Sequence, residues 1–187
     1  MTAMAPQAIA SFLDKFGHHM PIELRDGLDY AVANFPHTLR AYERLPDQTL
    51  CHIDAHLGNI AFENGRARFF DWQAFMICPG SFDMALAINA NLLAADRRAA
   101  LPELLNTYHE ALIKGGVADF SRRDVENLSH RQAAHMWVLM PLLAGAFLGS
   151  DERSTIFAAT WLPRIFSALV DCDAPKQLGI WLKEIGM

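Results

Sequence analysis

The segment His52-Ile53-Asp54-Ala55-His56-Leu57-Gly58-Asn59, with Asp71 twelve residues beyond Asn59, sets two carboxylates and an amide at a spacing suited to phosphoryl transfer. An aspartate at position 54 can accept or orient the proton of an attacking hydroxyl. An amide five residues on, across one turn of loop, can bring its oxygen to a magnesium ion. Magnesium takes hard oxygen ligands at about 2.0–2.1 Å and uses only one or two protein carboxylates, the rest being water and phosphate oxygens. Asn59 and Asp71 answer that description. Between them, Ile60-Ala61-Phe62 and Ala67-Arg68-Phe69-Phe70 flank Glu63-Asn64-Gly65-Arg66. Asn-Gly between two strand patterns predicts a hairpin that returns Asp71 beside Asn59. A second chemistry competes for the same residues. On a continuous strand His52, Asp54 and His56 would share a face and could chelate a metal, as in non-haem iron sites. Such sites sit on jelly-roll strands, and helical periodicity dominates this chain.

The segments Cys51 to Asn59, Phe70-Asp71-Trp72-Gln73 and Pro79-Gly80-Ser81-Phe82-Asp83-Met84-Ala85 together resemble the aminoglycoside phosphotransferase-like kinases, the small-molecule branch of the protein-kinase-like superfamily. In that family an HGD-x-H-x-x-N loop, a DW metal strand and a PG-x-x-D-x-A segment follow in this order. The resemblance implies Asp54 as catalytic base, Asn59 and Asp71 as magnesium ligands, His52 as a brace under the loop and Asp83 as a buried acceptor steadying its backbone. It implies ATP as phosphoryl donor, Mg2+ as cofactor and a small-molecule hydroxyl as acceptor, with His56 and Trp72 on the substrate side. Catalysis in kinases is mostly positioning and electrostatics. Ile53 stands where the family usually has glycine.

No glycine-rich loop between strand patterns and no Val-Ala-x-Lys-like strand lysine lies among residues 1–53. Gly17 and Gly27 are the only glycines there, and Lys15 sits within the helical pattern Ile9, Phe12, Leu13, Phe16. The expectation is therefore a kinase-like C-lobe whose N-terminal β-lobe is absent. An apolar surface left exposed at the lobe interface would promote self-association or capture a separate N-lobe partner. The alternative function is a catalytically silent kinase-like binding module or a truncated fragment.

With 52% hydrophobic and 20% charged residues the chain has the composition of a folded domain. A formal charge of −5 gives no electrostatic footprint for nucleic acid. The three cysteines, Cys51, Cys78 and Cys172, are widely spaced and odd in number, which argues against a disulfide framework and fits a cytoplasmic protein. Cys51 and Cys78 read as small buried hydrophobes. The longest apolar stretch, Met136 to Gly149, contains Pro141 and Gly145 and is too short to cross a bilayer, so no membrane partner is expected.

The class expected is mainly α with a small β-hairpin (α+β), a single domain over 1–187. Residues 1–50 form leading helices, 51–83 the catalytic loop and metal hairpin, and 84–187 a helical substrate-side subdomain. Helices are predicted near 6–17, 21–34 (stopped by Pro36), 37–45, 82–95 and 101–114, then from Ser121 to about Leu148, over 153–170, and after Pro175. Trp137, Trp161 and Trp181 fall on apolar helical faces and are expected in the core.

Overall fold

A computed structural model of the protein describes residues 5–187. Eight α-helices and four short strands follow in the order α1 (Ala5–Phe16), α2 (Ile22–Arg25), α3 (Leu28–Tyr42), β1 (Gln48–Cys51), β2 (Ile60–Glu63), β3 (Arg66–Phe69), β4 (Met76–Pro79), α4 (Ser81–Asn91), α5 (Ala94–Lys114), α6 (Arg122–Phe147), α7 (Glu152–Asp171) and α8 (Ala174–Glu184). Short 3-10 turns occupy Leu57–Asn59 and Trp72–Ala74. The mainly helical character with a small hairpin matches the class expected.

The described residues fall into two compact units, one formed by residues 5–41 and 133–187, the other by 42–132. The first is helical. Ile9, Phe12 and Phe16 make the buried stripe of α1, and Phe12 meets Phe166 of α7 edge-on at 5.9 Å between ring centroids. Gly145 of α6 lies against α1 so closely that a Cβ there would overlap the Ala8 carbonyl, so glycine is what permits the two backbones to approach. Helix starts are chemically marked. Asp151 accepts from Ser154 N–H at 2.9 Å while Ser154 Oγ accepts from Asp151 N–H at 3.3 Å, a capping box at α7. Trp137, Trp161 and Trp181 are all buried, as their spacing predicts.

In the second unit Met84, Ile88, Leu105 and Val125 form a core against which Leu101, Leu104, Tyr108, Leu112 and Phe120 pack. Its strands form two antiparallel ribbons. The β2–β3 ribbon is the predicted hairpin, with Ile60 opposite Phe69 and Glu63 opposite Arg66. Asn64 and Gly65 turn it at φ 50° and 74°, the left-handed pair a type I′ turn requires. The second ribbon pairs β1 with β4, Gln48 opposite Pro79 and Cys51 opposite Met76. It was not predicted, because its strands are four residues each and their partners lie some 25–31 positions apart in sequence.

Three helix boundaries also differ from the pattern reading. Helix α3 runs through Pro36 to Tyr42, where a stop was expected. Its buried stripe of Leu28, Ala31, Phe35, Thr38 and Tyr42 continues across the proline, and that burial outweighs the roughly 3 kcal/mol a proline costs inside a helix. Upstream, the expected 21–34 helix breaks between Arg25 and Leu28. The expected 82–95 helix likewise ends at Asn91, where Leu92 and Leu93 turn extended, and α5 begins at Ala94 and continues through Pro102. Ser121 and Asp124 do form reciprocal capping bonds at the start of α6, Ser121 N–H to Asp124 Oδ2 at 2.8 Å and Asp124 N–H to Ser121 Oγ at 3.1 Å. Aspartate thus fills the place that glutamate or glutamine holds in the usual box.

Candidate functional site

The β1–β4 ribbon closes the segment 52–75 at its base, and the start of α4 pins the segment's first turn. Asp83, in the first turn of α4, accepts His52 N–H on Oδ2 at 2.6 Å and Ile53 N–H on Oδ1 at 2.8 Å. Holding both amides with one carboxylate forces Ile53 to φ 59°, the left-handed region that costs a side-chain-bearing residue roughly 1–2 kcal/mol. This explains why a resembling family would carry glycine there. The helix start itself is capped from a distance, with Asp47 Oδ2 accepting Ser81 N–H at 2.9 Å.

His52 is buried and links the loop to the hairpin. Its Nε2 is 2.7 Å from the Phe70 carbonyl, which can only accept, so Nε2 carries the proton and Nδ1 is free to accept Asp54 N–H at 3.3 Å. Trp72 packs edge-on over the His52 ring at 4.8 Å and donates Nε1–H to the Phe69 carbonyl at 3.1 Å. Half-exposed Trp72 therefore covers the histidine.

Asp54 and Asn59 meet directly. Asn59 Nδ2 donates to both the Asp54 carbonyl and Asp54 Oδ2 at 3.0 Å. That use of the amide nitrogen leaves Oδ1 as the amide atom able to accept a hard cation. Asp54 Oδ1 lies 3.6 Å from His56 Nε2, and the Asp54 side chain remains 46% exposed, open to an incoming hydroxyl. Phe70 N–H donates to the Asn59 carbonyl at 3.0 Å, so the hairpin returns Asp71 to the neighbourhood of Asn59. Asp71 sits at φ 62° with an exposed side chain that makes no capping bond to the turn it precedes.

The structure thus brings His52, Asp54, His56, Asn59, Trp72 and Asp83 into one connected set and delivers Asp71 beside it. Among the described residues no three His, Cys, Asp or Glu side chains converge on a metal position. An amide oxygen and one or two carboxylates fit magnesium, which takes its remaining oxygens from water and phosphate. They do not fit an iron site, and the alternative of His52, Asp54 and His56 as a strand-borne ligand set fails. Left-handed Ile53 breaks the alternation that would place the three on one face, and both His52 ring nitrogens face backbone groups.

One contributor escaped the sequence reading. Asn91 at the end of α4 accepts Leu57 N–H on Oδ1 at 2.8 Å and donates Nδ2 to the Ala55 carbonyl at 2.8 Å. Its only sequence signal is the spacing Asp83, Ala87, Asn91, which puts polar residues at both ends of one helical stripe. Cys51 and Cys78 are buried in the ribbon, with Cys51 Sγ 3.3 Å from the Cys78 carbonyl, and burial raises both thiols, away from the reactive thiolate form. At the opposite end of that ribbon a cavity of about 280 Å³ is lined by Asp47, Thr49, Gly80, Tyr108 and Phe120, and it contains none of the loop residues. Burial pushes the Tyr108 phenol up to about 12.

A model of the ecdysteroid kinase-like family matches residues 7–116, more than half of the chain, and takes in the loop, the hairpin and Asp83. The chain belongs to the ecdysteroid kinase-like family. That family is kinase-like and related to phosphotransferases. No curated protein matches the chain, and no solved structure does. Within this ecdysteroid kinase-like chain every candidate site residue falls inside the matched segment.

Proposed function

We propose that the chain carries the catalytic residues of an ATP-dependent small-molecule phosphotransferase of the aminoglycoside phosphotransferase-like type, built as a kinase C-lobe. The observation that carries this reading is the Asp54–Asn59 contact: an exposed carboxylate oriented by an amide whose oxygen stays available. In the reaction the acceptor hydroxyl gives its proton to Asp54 as its oxygen attacks the γ-phosphorus and the bond to ADP breaks. Asp71 and Asn59 Oδ1 would hold Mg2+, which supplies neutralisation of the charge developing on the phosphate oxygens. His52 and Asp83 hold the loop so that Asp54 keeps its place without reorganisation.

The acceptor is a hydroxyl-bearing small molecule. The family's name puts an ecdysteroid on the panel to test. A partner also follows from this reading. Residues 61–77 are exposed without interruption and include Phe62, Phe69, Phe70, Trp72, Phe75, Met76 and Ile77. Phe62 and Phe69 fall on the same face of the β2–β3 ribbon as Ile60 and Ala67, while Glu63, Arg66 and Arg68 take the other. Exposed aromatic and aliphatic side chains gathered along this segment support an interaction site. We assign it to a nucleotide-binding lobe or, without one, to self-association. The same exposed face favours the second reading, a silent kinase-like module that uses it to bind a partner.

Calorimetric titration with Mg2+ and a non-hydrolysable ATP analogue, run beside Asp71→Ala, tests the proposal. Binding by the native chain that Asp71→Ala abolishes supports the metal–nucleotide site. Acceptor-dependent ATP consumption lost in Asp54→Asn supports the base. Nucleotide binding that is indifferent to Asp71→Ala would overturn the assignment, and an absence of binding would leave the silent module as the reading.

A further inference from the structure

Helix α4 presents Asp83, Ala87 and Asn91 at i, i+4 and i+8, and the loop is bonded to both ends of that stripe. At 1.5 Å per residue the two polar side chains stand about 12 Å apart along the axis. Asp83 fixes the loop where it leaves β1. Asn91 fixes it on either side of His56, holding the Ala55 carbonyl and the Leu57 N–H with the two ends of one amide, each at 2.8 Å. Its Nδ2 is itself anchored on the Ala87 carbonyl at 3.0 Å, which orients the amide and settles which end faces which partner.

Those two bonds flank His56, through which the segment meets both Asp54 and Asn59. His56 N–H donates to the Asp54 carbonyl at 2.9 Å, and the His56 carbonyl accepts Asn59 N–H at 2.8 Å. His56 Nδ1 accepts Gly58 N–H at 3.0 Å, so the neutral ring carries its proton on Nε2, the atom facing Asp54 Oδ1. A shift of the 55–57 segment would move His56 away from one carboxylate oxygen and Asn59 away from the other. Buried Ala55 offers no side-chain bond to resist that shift.

We propose that Asn91 is a positioning residue for the phosphotransferase site, acting through the 55–57 segment to hold Asp54 and Asn59 at their mutual distance. The inference rests on the reading given above for Asp54 and Asn59. Only an amide fills the position. Aspartate would keep the acceptor for Leu57 and turn an anionic oxygen toward the Ala55 carbonyl, while alanine would lose both bonds.

The test uses the full chain, labelled with 15N, with Asn91→Ala and Asn91→Asp read by NMR, together with affinity for the Mg2+ complex of a non-hydrolysable ATP analogue. In Asn91→Ala the Leu57 amide is expected to lose its exchange protection, and the Asn59 side-chain amide and His56 ring nitrogens to shift. Asn91→Asp is expected to keep the Leu57 protection and still shift Asn59 and His56. That split is one a general loss of stability would not produce, and Asn91→Asp supplies the answer if Asn91→Ala does not fold. Nucleotide affinity is expected to fall about tenfold in both, the usual scale for a group that orients a metal ligand. Unchanged Asn59 and His56 signals in folded variants, or affinity within twofold of the native chain, would overturn the role of Asn91. A native chain that binds no Mg2+–nucleotide while its loop signals move would instead overturn the phosphotransferase reading and, with it, a positioning role in that reaction.

Discussion

In the helical unit of residues 5–41 and 133–187 the local rules are broken by prolines that stay inside helices, Pro36, Pro141 and Pro163, whereas the 42–132 unit breaks them with left-handed residues in the loop and hairpin of the candidate site. Among the described residues four non-glycine positions have positive φ, and Ile53, Asn64 and Asp71 belong to the second unit. The fourth, Asp173, caps α8 by accepting Lys176 N–H at 3.3 Å. In the helical unit large apolar side chains such as Phe12, Leu24, Trp137, Ile165 and Phe166 are almost wholly buried. In the other unit a run of seventeen residues, 61–77, stays exposed. The difference teaches that one part of the chain is organised mainly by packing, aided by helix caps such as Asp151 and Asp173. The other holds strained backbone in place with a few directed hydrogen bonds, as expected where geometry at a site matters more than local comfort.

If that contrast is right, the largest single loss of stability comes from the packed unit. Gly145→Ala should destabilise the protein by about 3 kcal/mol, since a methyl has no room against the Ala8 backbone. A denaturant midpoint that did not move would show that α1 and α6 do not approach as described. Asp83→Ala should cost somewhat less, about 2 kcal/mol, by stranding the His52 and Ile53 amides. Amide exchange should localise that loss to residues 52–59, and a uniform change across the chain would break the contrast.

The two units also carry titrating groups of opposite sense. Complete burial lowers the His135 imidazole to about 3 from an ordinary 6.5, so the folded chain keeps it neutral while the unfolded chain protonates below 6.5. Stability should fall as pH drops from 6.5 toward 3, by at most about 1.4 kcal/mol per pH unit. His135→Gln should flatten that slope. For Tyr108 in the other unit, burial favours the neutral phenol, so stability present below pH 10 should be lost as pH rises toward 12, and Tyr108→Phe should lessen that decline, the remainder coming from Tyr42, Cys51 and Cys78, which burial raises in the same sense. The smallest effect is a gain. Ile53→Gly relieves the left-handed residue but adds freedom to the unfolded chain, for a net increase of about 0.5–1 kcal/mol. A loss on that substitution would mean the Ile53 side chain contributes packing that exceeds its strain.

Much of the site could be read in advance because its signals are local. Asn64-Gly65 between alternating residues specifies a two-residue left-handed turn by steric preference, and this alone carries Phe70 back to Asn59. The helical stripe of α1 and the buried tryptophans follow from 3.6-residue periodicity and need no knowledge of partners. Pro36 misled for the same reason in reverse. Its local cost is real, and only the burial of Phe35, Thr38 and Tyr42 on a continuing stripe outweighs it.

By itself, then, the amino-acid order determined which side chains could do chemistry, the turn that returns Asp71 toward Asn59, and the helices whose apolar periodicity is strong. Tertiary structure alone decided the β1–β4 ribbon, the left-handed state of Ile53 imposed by Asp83, the Asp47 cap on α4 and the grip of Asn91 on the loop. Each of these joins residues some 25–36 positions apart. Such bonds form only when the rest of the fold has already brought the partners together, and no local preference encodes them.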